Sequence, residues 1–167
     1  VYTCLTRPRS RGEVTLRSRD PRQQPSLVFN HLAERSDITD FIEAFRTTRA
    51  FFAQPAWEKL NAREIDPGPT VQTDADIEAF LRRNLGTHYH PSGTCKMGTG
   101  SEAVVDPAGR LRGIEGLRVA DASVLPNTVC GNISASVAMV AEKLSDAIRG
   151  RTPLPPSNAD YYRAVPA

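Results

Sequence analysis

Cysteine is scarce in this 167-residue chain: Cys4, Cys95 and Cys130 are the only three. An odd number at wide, irregular spacing is no disulfide framework, and no C-x-x-C metal pair is present, so a reducing compartment is the simpler inference. Long apolar runs are also lacking. None approaches the roughly 18–20 residues of a membrane span, and no charged-then-apolar leader ending in small residues marks a secretory signal. Charge of one sign is missing too. The formal net charge of +2 gives no electrostatic reason to expect nucleic acid or a membrane surface as partner. No segment repeats. The first residue is Val1 rather than Met, so the sequence is expected to be a piece of something longer.

What is present suits one soluble globular unit: 40% of residues are hydrophobic and 24% charged, enough for a core. Glu13 to Arg17 alternates polar and apolar residues, as a half-buried strand does, between Gly12 and the Asp20-Pro21 turn signal. Ser26–Phe29 is a second short apolar run. Six arginines between Arg7 and Arg22 could form a basic rim, although Glu13 and Asp20 among them favour an ordinary solvated surface. The spacing of Phe41, Ile42, Phe45 and Phe52 predicts a helix over 36–53, with Asp37 as its cap and Pro55 beyond its end. Its aromatic stripe reads as core packing. Residues 54–72 read as a proline-marked loop with one helical turn at Trp57–Leu60, a place where a substrate entrance could lie. A second helix is expected over 73–85, opened by a Thr73/Asp76 capping box and closed by Gly86. Ala103–Asp106 and Leu117–Asp121 read as strands, the latter buried on both faces except at Arg118. The strongest helix is expected over 132–149, with Asn132 at the cap position and Gly150 as its stop. Residues 151–167 are proline-rich and read as a tail.

Two stretches stand apart from this framework. The first is His88-Tyr89-His90-Pro91-Ser92-Gly93-Thr94-Cys95-Lys96-Met97-Gly98, a polar, turn-forming run that a packed core has no use for. Imidazole titrates near neutrality, so a histidine here can serve as a base; a core histidine is the alternative. Pro91 restricts His90 to extended backbone. Two nearby histidines also raise a metal, but no further ligands lie at suitable spacing, and none is expected. Cys95 is either a reactive thiol or a small buried hydrophobe. The second stretch runs from Asp121 to Asn132: a strand ending in an acid, a loop, then a helix start. Backbone N–H groups at a helix start lack internal partners and suit an anion or a polarised carbonyl. Asn132 either belongs to that site or merely caps its helix.

The ordered series His90-Pro91-Ser92-Gly93-Thr94-Cys95-Lys96-Met97-Gly98, Val104-Val105-Asp106, Gly116 to Ser123, Gly131-Asn132 and Ala141-Glu142-Lys143 resembles the C-terminal region of the glucose–methanol–choline (GMC) oxidoreductases. Within that family it is most similar to the bacterial choline-dehydrogenase-like alcohol dehydrogenases. The likeness is dense over 88–150 and looser from Ser10-Arg11-Gly12 to Pro25. It implies an α/β enzyme (α+β in this piece), made of substrate-domain strands plus the last strand and helix of the FAD-binding domain. Residues 1–87 would be part of the substrate-binding domain, 88–150 the catalytic and FAD-contacting segment, and 151–167 the tail.

By the same resemblance the cofactor is FAD and the substrate a small primary alcohol. The catalytic histidine falls on His90 and the second active-site position on Asn132. Flavin contacts fall on Asp121, Ala122, Asn132, Ile133 and Ser134, while His88 is structural or supporting. The family's G-x-G-x-x-G fingerprint is missing; Gly98-Thr99-Gly100 is too short to be it. The expected partner is therefore the N-terminal FAD-binding portion of the same enzyme, without which FAD binds weakly or not at all. The expected location is cytoplasmic, or membrane-associated through an electron acceptor of unknown identity. An oxygen-using oxidase of the same family, a lyase on the same scaffold and a flavin-free binding or regulatory module are the competing readings.

Overall fold

The computed structural model describes residues 1–60 and 63–160. Two residues of the expected 54–72 loop, 61 and 62, and the end of the expected tail, 161–167, lie outside the described residues. A two-stranded antiparallel sheet comes first: β1, Glu13–Thr15, pairs with β2, Ser26–Val28, in the register Val14 opposite Leu27. Gly12 is required beside it, since a Cβ there would lie 2.1 Å from the Val28 carbonyl oxygen. The expected half-buried strand is corrected: Val14 is 51% and Leu16 86% exposed, and nothing among the described residues covers this sheet.

Helices α1, Arg35–Phe52, and α2, Asp74–Asn84, pack together. Ile38 and Ile42 of α1 and Ile77 and Leu81 of α2 recur at the helical period, so each helix turns one apolar stripe inward. With Leu32 they form a buried cluster, closed by Phe41, Phe45, Val71 and Leu85. The Thr73/Asp76 capping box is complete. Leu85 in an extended conformation ends α2, so Gly86 does not supply the expected left-handed stop.

Asp37 is not the cap of α1. Glu34 holds that position without a side-chain bond, and Asp37 sits buried in the first turn. There it accepts the backbone N–H groups of Arg9 (2.8 Å) and Ser10 (2.7 Å) and the Ser10 hydroxyl. Ser10 Oγ in turn accepts the Glu34 N–H. The N-terminal segment is thereby strapped onto α1.

After α1 a 3-10 turn spans Pro55–Leu60, matching the expected single turn. The loop beyond it is tied to α1 by Arg49. This side chain pairs with Glu64, donates to the Val71 and Gly68 carbonyls, and lies 4.4 Å from the centre of the Phe45 ring.

A second cluster holds the C-terminal half: Val105, Val124, Leu125, Val140 and Leu144 are buried, with Met97, Leu111, Val119 and Val137 against them. The two expected strands reduce to isolated bridges, Met97 with Val105, Val105 with Leu111 and Arg110 with Arg118. Leu117 is half-exposed and Asp121 exposed, which corrects the expected strand buried on both faces: Val119 packs against the second cluster, while Leu117, Ala120 and Asp121 lie open. Gly109 (φ +73°) lets the turn before it press onto α3, Ser134–Ile148; a Cβ would meet the Val119 oxygen at 2.9 Å and Leu144 at 3.0 Å. Gly150 (φ +66°) ends α3 as expected, with Gly150 N–H on Ala147 O and Arg151 N–H on Asp146 O, a paired C-terminal motif. Residues 151–160 are exposed and irregular.

Candidate active site

The His90 stretch is stitched into the second cluster by its backbone. Cys95 N–H donates to Ser123 O at 3.0 Å, Met97 N–H to Val124 O at 2.9 Å and Gly98 N–H to Val105 O at 3.1 Å. Met97 adds an apolar anchor. Gly93 (φ +87°) approaches the Leu125 carbonyl, to which a Cβ would lie at 3.4 Å. Residues 93–98 thus run against 123–125, the start of the connection from Asp121 to Asn132. Two stretches that stood 20 to 30 residues apart in sequence share one seam.

His90 emerges from that seam half-buried. His88 packs edge-on against it, ring centres 4.7 Å apart and planes at 90°. Tyr89 between them has φ +59°, unusual for a non-glycine residue, and its N–H is held by Thr87 Oγ1. His88, itself exposed, is thus in ring contact with His90. Cys95 is a free, partly exposed thiol, fixed through its backbone.

At the other end of the seam Asp121 accepts from the Ser123 N–H (2.8 Å) and hydroxyl, capping the 3-10 turn Ala122–Val124. Ser123 and Gly93 belong to the framework of the site, although sequence reasoning passed over Ser123. The signal available for it was the acid-x-Ser spacing of a side-chain-capped turn.

Asn132 does not cap α3. Ile133 occupies that position in helical conformation and makes no side-chain cap bond. Asn132 and Ser134 are exposed, while Ile133 is buried and anchors the helix start. The first-turn N–H groups of α3 consequently have no capping side chain. Donors at a helix start, with an amide side chain beside them, suit an anion or a polarised carbonyl. Among the described residues no hydrogen bond joins His90 to Asn132; the seam joins residues 93–98 to 123–125, the start of the connection that leads on to Asn132. A groove of about 420 Å³ lies elsewhere, around Arg110, Arg112, Leu117 and Arg118, and includes none of the expected site residues. No three His, Cys, Asp or Glu side chains gather to hold a metal among the described residues.

The family profile described as "GMC oxidoreductase" matches residues 8–141. The oxygen-dependent choline dehydrogenase of Serratia proteamaculans is 52% identical over 155 residues, which cover 93% of this chain and 28% of that protein. Oxygen-dependent choline dehydrogenase 1 of Chromohalobacter salexigens is 49% identical over 160 residues, 95% of this chain and 29% of that one. Among solved structures, pyridoxine 4-oxidase from Mesorbium loti superposes with a TM-score of 0.80 at 31% identity, covering 89% of this chain and 29% of its own. A formate oxidase gives 0.77 at 37% identity, with 87% and 26% covered. The chain thus spans less than a third of the length of the curated relatives it matches.

Proposed function

From the premise that this chain belongs to the GMC oxidoreductase family, matching its C-terminal region, we propose that it is the C-terminal portion of a flavoprotein that oxidises a primary alcohol to an aldehyde. The family and its structural neighbours are FAD-dependent. In this reading residues 1–87 contribute to the substrate-binding domain and 88–150 form the catalytic and flavin-contacting segment. The partner is the N-terminal, flavin-cradling portion of the same enzyme. The observation that carries the proposal is the seam, in which backbone bonds hold the His90 stretch against the segment leading to Asn132.

His90 accepts the hydroxyl proton of the alcohol at its half-buried ring, and His88 keeps that ring in place. Asn132 holds the substrate oxygen by hydrogen bond and orients it. Asp121, Ala122, Ile133 and Ser134 line the flavin side, with the uncapped start of α3 favouring negative charge there. FAD, when bound, supplies the hydride acceptor. Choline is the alcohol to try first, because the relatives at about half identity are named for it. Oxygen as the final acceptor is the second reading, favoured by the same names; peroxide formed under air would establish it, and its absence would point to another acceptor.

The decisive measurement is flavin reduction by choline in His90→Ala, made in the flavin-loaded enzyme that contains this chain. Loss of a general base should slow it by about 10²–10⁴-fold, roughly 3–5 kcal/mol of barrier. A fall below about tenfold with FAD still bound is outside that range and removes His90 from the role.

A further inference from the structure

Between the buried anchors Leu125 and Ile133, residues 126–132 cross the surface without regular structure and end at Asn132. Gly131, at φ +138°, adds a pliable point one residue before Asn132. Two side-chain bonds tie this loop to a distant part of the chain. Thr128 Oγ1 donates to the Thr6 carbonyl at 3.0 Å, and Asn127 Oδ1 accepts from the Arg11 guanidinium at 3.0 Å.

Arg11 is itself held. Its guanidinium also donates to the Pro8 and Ser10 carbonyls, and its own carbonyl accepts from the Asn30 side chain. One residue before it, Ser10 is clamped with Arg9 onto buried Asp37. A continuous set of bonds therefore runs from the first turn of α1, through the 6–11 strap, to the loop that carries Asn132. Its last link is a planar guanidinium whose Nη1 makes both carbonyl bonds, which fixes the direction in which Nη2 donates to Asn127.

We infer that Arg11 is a positioning residue: through Asn127 it orders the 126–132 loop and so sets where Asn132 stands relative to His90. The inference rests on the proposed roles of Asn132 and His90. Arg11 is exposed, and an exposed bond of this kind contributes little to global stability. A misplaced orienting group, by contrast, is costly to the rate. Arg11→Ala should therefore separate order and rate from stability.

Two measurements test this. In the flavin-loaded enzyme that contains this chain, hydrogen exchange of the peptide covering 125–133 should quicken at least about fivefold in Arg11→Ala and Asn127→Ala, as local opening becomes easier. Helices α1 and α2 should stay unchanged, and Tm should move by no more than about 2–4 °C. Asn127→Asp, which keeps the acceptor, should hold the loop as the native residue does. In the flavin-loaded enzyme the maximal rate of flavin reduction should fall roughly tenfold or more in Arg11→Ala, with KM for the alcohol little changed. Unaltered exchange in 125–133, or exchange rising equally everywhere, overturns the inference without reference to activity. A loosened loop with an unchanged reduction rate overturns it as well. His90→Ala, measured alongside, shows separately whether the proposed function itself holds.

Discussion

Asp37 shows what a sequence pattern cannot assign to a residue. An acid near a helix start reads as a cap, and here it is instead the buried anchor of the N-terminal strap. Burial works to raise its carboxyl. The bonds from Arg9 and Ser10, with the nearby charge of Arg11, outweigh that and leave it below the ordinary carboxylate value. A group whose folded pKa is depressed contributes stability above its unfolded value, about 3.9, and loses it as pH falls through the folded value. Asp37→Asn should accordingly cost about 1–3 kcal/mol at pH 7, the usual range for bonds to a buried charge. The difference from wild type should shrink below about pH 4. Urea titrations at pH 7 and at pH 3 check this, and an equal loss at both would mean that packing, not charge, is what Asp37 supplies. Gly109 is a second position with no substitute. Its positive φ and the 2.9 Å approach to the Val119 oxygen should make Gly109→Ala cost about 1–3 kcal/mol by the same measurement. A neutral result would show that the turn can shift away from Leu144.

At the scale of the element, what could be read from sequence was what depends on neighbours along the chain. Three helices follow from apolar residues at the 3.6 period, and the Thr73/Asp76 box closes as written. Thr73→Ala should remove about 1 kcal/mol, within the 0.5–2 expected of a side-chain cap, and thermal unfolding followed by circular dichroism checks it; no change in Tm would mean that α2 is held by its packing alone. The strands were not legible in the same way, because a strand's burial depends on what lies across it. Glu13–Arg17 alternates correctly, yet its apolar face is open. Leu117–Asp121 is apolar, yet only Arg118 finds a bridge. The residue types of the candidate site were readable, since a polar run with His90 and Pro91 has no place in a core. Its scaffolding was not. The bond from Arg11 to Asn127 spans 116 positions, and no local pattern in either segment announces it. The cap position at Asn132 failed for a local reason: Gly131 turns the backbone before Asn132, leaving Ile133 to open the helix.

At the scale of the whole molecule the surface is too large for the mass. A compact monomer of 18.3 kDa exposes roughly 8,100 Å², whereas this chain exposes 13304 Å². Part of the excess of about 5,000 Å² comes from the exposed, irregular 151–160 segment; the whole is several times the ~800 Å² that each partner gives to a standard interface. It is of the order expected where a core is shared. Large apolar side chains contribute to it: Leu16, Leu27 and Phe29 in and beside the sheet, Leu117 before Asp121, and Met139 and Ile148 on α3. In the proposed function these are the faces that the N-terminal portion of the enzyme covers, and the same portion supplies the flavin cradle. Two outcomes should then appear together. The purified 167-residue chain should bind an apolar dye such as anilinonaphthalene sulfonate strongly and show no flavin absorbance after incubation with FAD. Co-expressed with the N-terminal portion of a choline dehydrogenase relative, it should lose the dye signal and gain the flavin spectrum. If the chain alone excluded the dye and bound FAD stoichiometrically, its exposed faces would be ordinary surface and the shared-core reading would be wrong. If the pair formed and dye binding fell without flavin, coverage would be right and the assignment of Asp121, Ala122 and the start of α3 to the flavin would fail.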